Sequence, residues 1–590
     1  METHLLLFAF LIFFSLPSQS AKVVNNYIVQ LRPPENVDIS NHKVMEGYYN
    51  SFLPNTSGNA GDKSRMIHTY QYAMCGFAAR LTKDEVDEMA KKAGFLNARP
   101  SRVLNMLTTH TPSFLAIADG VDVMSISLGV DHQLPLYKDY IAIASFTAAR
   151  KGIFVRGAAG NSGPLQATVV NVAPWVLTVA AGTMDRSLKA LVKLRDNREF
   201  EGQSAFQPSE FSSIFLPLTY PILPGYKDNI CLGNLTTIKG KVVLCHNNNA
   251  AGIDIGYNVH QHGGAAMILM NGENEGYTTL AEAHVLPVSN VNYADATKIL
   301  SYFNSSTNAT AAIMFQGTIV GKSEAPVVAF FSSRGPSVEI PGVLKPDILA
   351  PGVNIVAAWP FTVGPKPMAL TNTGFNIIAG TSMATPHLSG IAALLKVLHR
   401  RWSPAAIKSA IMTTATTEDN YGKPILDENH HTANYFMMGA GQVNPSKAAD
   451  PGLVFDIDTK DYIAFLCGMG YSDKQVGFIT GDDTQCEKME KILQSGLNYP
   501  SIITSRGQHV VVKRTVTNVG EATSTYKVEV DLPKEVAFKV VPNVLEFNKS
   551  DEKKSFVVSI NSGAQLNESI FGNLKWVSKK YTVRMPVIVH

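Results

Sequence analysis

The chain has 590 residues, 45% of them apolar and 17% charged. That composition excludes an intrinsically disordered chain and leaves room for several packed domains. The formal charge of +3 is too small to point to nucleic acid, and no apolar run of helix length follows the N-terminus, so no membrane span is expected. In chain order, Leu5–Leu16 is an apolar run too short to cross a bilayer. Ser18 and Ser20 are small residues placed for a cut before Ala21. Met1–Ser20 therefore reads as a secretory signal, with a membrane anchor as the alternative. Tyr27-Ile28-Val29-Gln30-Leu31 reads as a strand. Thr82-Lys83-Asp84-Glu85 is a capping box; the helix it opens has acids in its first turn, Lys91 and Lys92 near its end and Gly94 as a stop.

Val121–Leu128 is an apolar run expected to form a buried parallel strand, followed by a helical stretch to about Arg150. Gly152-Ile153-Phe154-Val155 and Trp175–Ala180 read as two further strands, and the alternation argues for a parallel α/β sheet. Asn161 follows the middle strand. Its amide could donate to an oxyanion, or it could be a turn asparagine, since Asn161-Ser162-Gly163 is good turn chemistry. Lys239–Leu244 and Ala265–Met270 read as short strands. His260 and His262 could bind a metal, but no cysteine or acid nearby completes a ligand set, so no metal or other cofactor is expected. At Gly380-Thr381-Ser382-Met383-Ala384-Thr385-Pro386-His387 a small-residue turn opens a helix through Leu388, Ile391, Leu395 and Leu398, with Pro386 placed in its first turn. The positive end of the helix favours negative charge at Ser382. That serine reads either as a nucleophile for a carbonyl or as an ordinary N-cap. From about Leu497 alternating strands dominate, at Val510–Val516, Thr525–Val530, Ser555–Ile560 and Tyr581–Val589.

Cys231 with Cys245, and Cys467 with Cys486, have spacings that suit disulfides in an oxidising compartment, leaving Cys75 over. Sequons stand at Asn55, Asn234, Asn304, Asn308, Asn548 and Asn567. With the signal segment they make a consistent secretory reading.

The octapeptide around Ser382 resembles the nucleophile motif of the subtilisin-like serine proteases. Asp122–Gly129 resembles the strand beside the specificity pocket of that family, and Ala158–Pro164 the loop carrying its oxyanion asparagine. Phe331–Pro336, Leu344–Gly352 and Ser403–Ala415 resemble plant subtilases in particular. The resemblance implies a subtilisin-like α/β sheet with Ser382 and Asn161 as catalytic groups. It implies Ser127, Leu128, Gly129, Ala159 and Gly160 as substrate-binding residues. It also implies a domain order: signal 1–20, α/β inhibitor propeptide 21–107, core 108–230, protease-associated insert 231–321, core 322–470 and a fibronectin-III-like β-sandwich 497–590. The expected partners are peptide or protein substrates and the chain's own propeptide. The expected location is extracellular, in apoplast or cell wall.

One part of the family pattern is missing. A serine hydrolase needs a base to take the hydroxyl proton and a carboxylate to orient that base. In this family both precede the serine, and neither motif is found here. Thr108–Leu115 resembles the start of a mature enzyme, yet Ala116–Val123 follows at once and resembles a helix end much further on. A block bearing the Asp, the His and three core strands is expected between Leu115 and Ala116 and is not in the sequence. His110 belongs to the processing junction, His387 lies about 140° round the helix from Ser382, and Asp119 and Asp122 have no histidine beside them. The chain is therefore expected to be inactive as written, with its propeptide retained. The alternatives are a secreted homologue acting by protein binding, and a misassembled gene model of an active protease.

Overall fold

The computed structural model describes residues 23–34, 37, 41–54, 65–70, 74–101, 120–130, 132–221, 230–247, 252–365, 374–563 and 568–590. The expected signal segment, His110, the Leu115/Ala116 junction, Asp119, Asn55 and Asn567 lie outside those residues. The chain divides into two compact units, residues 1–109 and 110–590.

The first unit is a four-stranded antiparallel sheet in the order Met66–Tyr70, Gly76–Leu81, Asn25–Leu31, Phe95–Pro100. Alternate residues Val29, Leu31, Phe77 and Leu81 pack against Met45, Tyr49 and Met89 of two helices, which is the period-2 pattern of a half-covered sheet. The Thr82 capping box forms with both arms, at 3.3 and 2.8 Å. Its helix is shorter than the sequence suggests, ending at Met89. Lys92 lies beyond it and donates to the Ser51 and Phe52 carbonyls at 2.7 and 3.0 Å. Its charge thus serves the end of the other helix.

The second unit is built on a four-stranded parallel sheet in the order Ile348–Pro351, Leu177–Gly182, Phe154–Ala158, Val123–Ile126. Leu177–Gly182 and Phe154–Ala158 are buried at every residue, as a sheet covered on both faces requires. Trp175 fixes the helix Tyr140–Arg150 to it. The indole Nε1 donates to the Ala142 carbonyl and the Ser145 hydroxyl, both at 3.0 Å, and Phe146 meets the ring edge-on. Val123–Ile126 departs from expectation. It has only four residues, leaves Ser125 exposed, and no described strand pairs with its outer side.

An α/β insert carries an eight-stranded mixed sheet. Its central strands Val242–His246, Ala266–Met270 and Val288–Val291 are parallel. The sheet begins upstream of the expected boundary at Cys231, because Thr310–Val320 pairs with Arg186–Leu194 from Val320↔Arg186 to Ala311↔Leu194. The C-terminal sandwich pairs a four- and a five-stranded sheet around Trp576, Phe556, Tyr526 and Val583. Its strands Val536–Val541, Val544–Phe547 and Ile570–Val577 were not foreseen. A fully buried polar cluster joins core to sandwich: Lys345 donates to Asp347 Oδ2 at 2.7 Å, and Tyr499 donates to Asp347 Oδ1 at 2.5 Å. Disulfides join Cys231 to Cys245 and Cys467 to Cys486, with Cα separations of 5.5 and 5.4 Å, and Cys75 is unbridged and buried.

Candidate active site

The helix Thr381–Leu398 has Gly380 as its N-cap, so Ser382 is its second residue. The N-cap reading of this serine does not hold. The cap comes from outside: Asn161 Oδ1 accepts the Thr381 N–H at 3.0 Å and the Thr381 hydroxyl at 2.8 Å. The same hydroxyl accepts the Gly160 N–H at 3.2 Å. Asn161 thus uses its oxygen for the helix end, and its Nδ2 lies beside Gly380, 3.5 Å from where a Cβ would sit.

Pro386 is in the second turn, not the first. Lacking an N–H, it leaves the Ser382 carbonyl without its helical donor. The Ser127 hydroxyl supplies one at 2.9 Å, and Ser382 Oγ donates back to the Ser127 carbonyl at 3.0 Å. The two serines are locked reciprocally. Ser382 therefore points its hydroxyl hydrogen at an oxygen with no basicity to remove it. Two donors beside it, the Asn161 amide and the Ser382 N–H in the first helical turn, are uncommitted among the described residues. That pair suits an oxygen that gains negative charge.

These groups open on a cavity of about 250 Å³ lined by Ser127–Val130, Gly160–Ser162, Val170, Ser333 and Ser382 among others. Its walls are held by Asn171, which is 5% exposed and has φ 56°. Its Nδ2 donates to the Leu128 carbonyl at 2.7 Å and the Ala158 carbonyl at 2.8 Å, tying two neighbouring strand ends together. Glycine is required at two lining positions. A Cβ on Gly129 would come within 2.7 Å of Val170, and one on Gly160, at φ +101°, within 2.8 Å of Ser333 Oγ.

Ser127, Leu128, Gly129, Gly160, Asn161 and Ser382 are thus brought together. Ala159 is a correction: it is fully buried behind the wall. Its N–H donates to Val179 and its carbonyl accepts from Val170, so it has no backbone group to offer a substrate. His387 turns its ring back along its own helix, with Nδ1 2.8 Å from the Met383 carbonyl. Among the described residues no histidine or carboxylate is hydrogen-bonded to Ser382. His262 Nδ1 lies 2.8 Å from the Asn258 carbonyl, and no cluster of three metal-ligating side chains occurs among the described residues. The sequon residues Asn234, Asn304, Asn308 and Asn548 are exposed.

Sequence reasoning missed Thr381, Asn171, Ser333 and Arg156. Thr381 could have been found, since it adjoins Ser382. Asn171 and Ser333 carry no local signal. Arg156 lies one residue past the expected strand Gly152–Val155 and inside the observed one, Phe154–Ala158. It is 1% exposed, bonds Ser389 Oγ at 2.8 Å, and is pushed down to about 9 by burial.

Three family matches cover the chain: Subtilase family over residues 73–441, Peptidase inhibitor I9 over 26–106, and Fibronectin type-III domain over 496–589. Subtilisin-like protease SBT1.5 of Arabidopsis thaliana is 43% identical over 80% of this chain and 65% of its own length. SBT1.6 from the same plant is 41% identical over 88% of this chain and 71% of its own length. For SBT1.7 the figures are 41%, 80% and 64%. The chain spans about two thirds of the length of these relatives.

Proposed function

The chain belongs to the subtilase family, and from that premise we propose that it presents the substrate-facing half of a serine endopeptidase site without turning over peptide bonds. Ser382 occupies the nucleophile position and Asn161 the oxyanion donor position. The 250 Å³ cavity receives a substrate side chain, and Ser127, Leu128, Gly129 and Gly160 border the bound peptide. The observation that carries this reading is the Ser382 hydroxyl, which donates to the Ser127 carbonyl at 3.0 Å in a sequence lacking both partner motifs. In serine hydrolases of this type, loss of the base lowers turnover about a million-fold, while the oxyanion donors and binding retain a residual ~10³–10⁴ over water. Self-cleavage needs the same base, so the inhibitor-like first unit stays attached. We read the insert as a protease-associated, substrate-access module and the chain as secreted.

A fluorophosphonate probe tests the reading. It reacts with an activated serine, so the wild-type chain should label no faster than its Ser382→Ala variant. Stoichiometric labelling of Ser382, or peptide turnover abolished by that substitution, overturns it. A second reading, an incompletely assembled coding sequence, is favoured by the outer side of Val123–Ile126, which has no partner among the described residues, and by the chain's spanning about two thirds of its relatives. Sequencing the transcript across codons 115 and 116 decides it: a continuous junction in every transcript excludes this reading, and an intervening block supports it.

A further inference from the structure

The helix Thr459–Gly468, the strap 488–496 and the sandwich strands His509–Asn518 and Lys553–Ser562 border an open cleft of about 680 Å³ that shares no lining residue with the Ser382 cavity. Its walls are built, not incidental. The Cys467–Cys486 disulfide ties the strap to the helix. Ile492 N–H donates to the Ala464 carbonyl at 3.1 Å, and a Cβ on Gly468 would collide with the Ile492 carbonyl at 2.0 Å. Asn498 fastens the other wall, with Nδ2 donating to the Asp456 and Thr515 carbonyls at 2.9 and 2.8 Å.

Four exposed lysines line this cleft: Lys460, Lys488, Lys513 and Lys553. None forms a close ion pair with a described carboxylate, although Lys189, Lys193, Lys298, Lys554 and Lys580 all do; Lys553 acts on the Asp461 carboxyl only at longer range, opposing the rise that burial causes there. Lys513 is placed by strand periodicity. It shares the outward face with Thr515 and Thr517, while Val512, Arg514 and Val516 turn into the core. Lys553 sits opposite Thr517 on the neighbouring strand.

The cleft also contains Asp456, Asp461 and Glu490. Asp456 accepts from the Ser403 hydroxyl and the Ile457 N–H, and Asp461 from the Asp458 N–H. A ligand for this lining must bring anionic groups to the lysines and hydroxyl donors to the carboxylates and threonines. Nucleic acid fits poorly, because no aromatic side chain lines the cleft to stack a base. A bilayer surface cannot enter a concavity of this size.

We propose that this cleft binds an acidic polysaccharide, a chain of sugar rings bearing carboxylate or sulfate groups, and so tethers the protein to a polyanionic matrix independently of Ser382. The test is retention and equilibrium binding of the full-length protein on polygalacturonate and on heparin, with dextran as the neutral control. Two variants with equal loss of charge are compared. Lys460, Lys488, Lys513 and Lys553 are changed to Gln in one. Lys527, Lys534, Lys539 and Lys549, exposed elsewhere on the sandwich, are changed to Gln in the other. The cleft variant should lose at least tenfold in affinity and the control variant less than threefold. Binding should weaken as salt rises, since lysine contacts to a polyanion are screened. Binding to polygalacturonate alone identifies carboxylates as the recognised groups; binding to heparin alone identifies sulfates. Equal loss in both variants, or no binding to either polyanion at low salt, overturns the proposal. Because no measurement involves Ser382, the outcome is separable from the catalytic reading.

Discussion

Asn171 holds the wall of the Ser382 cavity, and Asn171→Ala should open it. The substitution removes a buried bond to the Ala158 carbonyl and a half-buried one to the Leu128 carbonyl. A buried carbonyl left without a donor costs about 1–3 kcal/mol. The Leu128 carbonyl adjoins the cavity, where water can reach it, so its share falls at the low end. An alanine at φ 56° adds about 1 kcal/mol, because asparagine tolerates the left-handed region and a bare Cβ does not. The expected total is about 3 kcal/mol, or a roughly hundredfold larger open population and correspondingly faster exchange. Hydrogen exchange of a peptide spanning residues 154–180 in the full-length protein reads this directly. Asn171→Asp separates the causes, since it keeps the shape but turns an anionic oxygen toward two carbonyls. It should be worse than alanine at neutral pH. The folded-state pKa of the introduced carboxyl must lie above its unfolded value, so the variant's stability should recover as the pH falls. An Asn171→Asp variant as stable as wild type at pH 7, or an alanine variant with unchanged exchange, would refute the reasoning.

A second prediction concerns His284 and Glu282 in the insert. Burial lowers the His284 imidazole to about 3 from 6.5, so between those values the unfolded chain holds the extra proton and stability rises with pH. Burial, with Asp254 adding to it, raises Glu282 to about 7 from 4.5, so over that range stability falls as pH rises. From pH 4.5 to 6.5 the two slopes oppose. Glu282 keeps 24% of its side-chain surface, which makes its slope the weaker. Glu282→Gln should therefore steepen the acid loss toward about 1.4 kcal/mol per pH unit, and a urea midpoint as flat as that of wild type contradicts the assignment. A third concerns the Ser382 helix, where Leu394 and Val397 are 64% and 68% exposed in a unit whose strand Val123–Ile126 has no partner on its outer side among the described residues. Unpaired edges and apolar faces promote self-association. Leu394→Glu with Val397→Lys should shift the elution of concentrated protein toward monomer; a wild-type chain already monomeric at tens of micromolar sinks the idea.

The three signals that sequence carries best were all legible. The apolar stretches Gly152–Val155 and Trp175–Ala180 marked two parallel strands, which the structure sets about two residues further on, at Phe154–Ala158 and Leu177–Gly182. The Thr82 box gave a helix start, and alternation gave four sandwich strands. Where those signals failed, tertiary contacts had won. Leu398 fits the helical stripe yet is 63% exposed, because helical spacing marks a face but not whether anything covers it. Lys92 was placed as a helix-ending charge and instead serves another helix. Val536–Val541 carries no sequence expectation of a strand: Ala537 and Val541 are apolar yet exposed and Phe538 is only half-buried, so residue polarity does not mark its two faces.

Residue order alone determined that Gly380 and Thr381 lead into Ser382 at a helix start and that the family's Asp and His motifs do not precede it, because both are statements about adjacency and content. It could not determine that Asn161 rather than Ser382 caps the helix, or that the Ser127 carbonyl accepts the Ser382 hydroxyl. Nor could it place Asn171 across two strands or gather four lysines in one cleft. Those contacts join residues up to 255 positions apart, and such pairs meet only after the sheets have closed and the competing backbone donors have been spent.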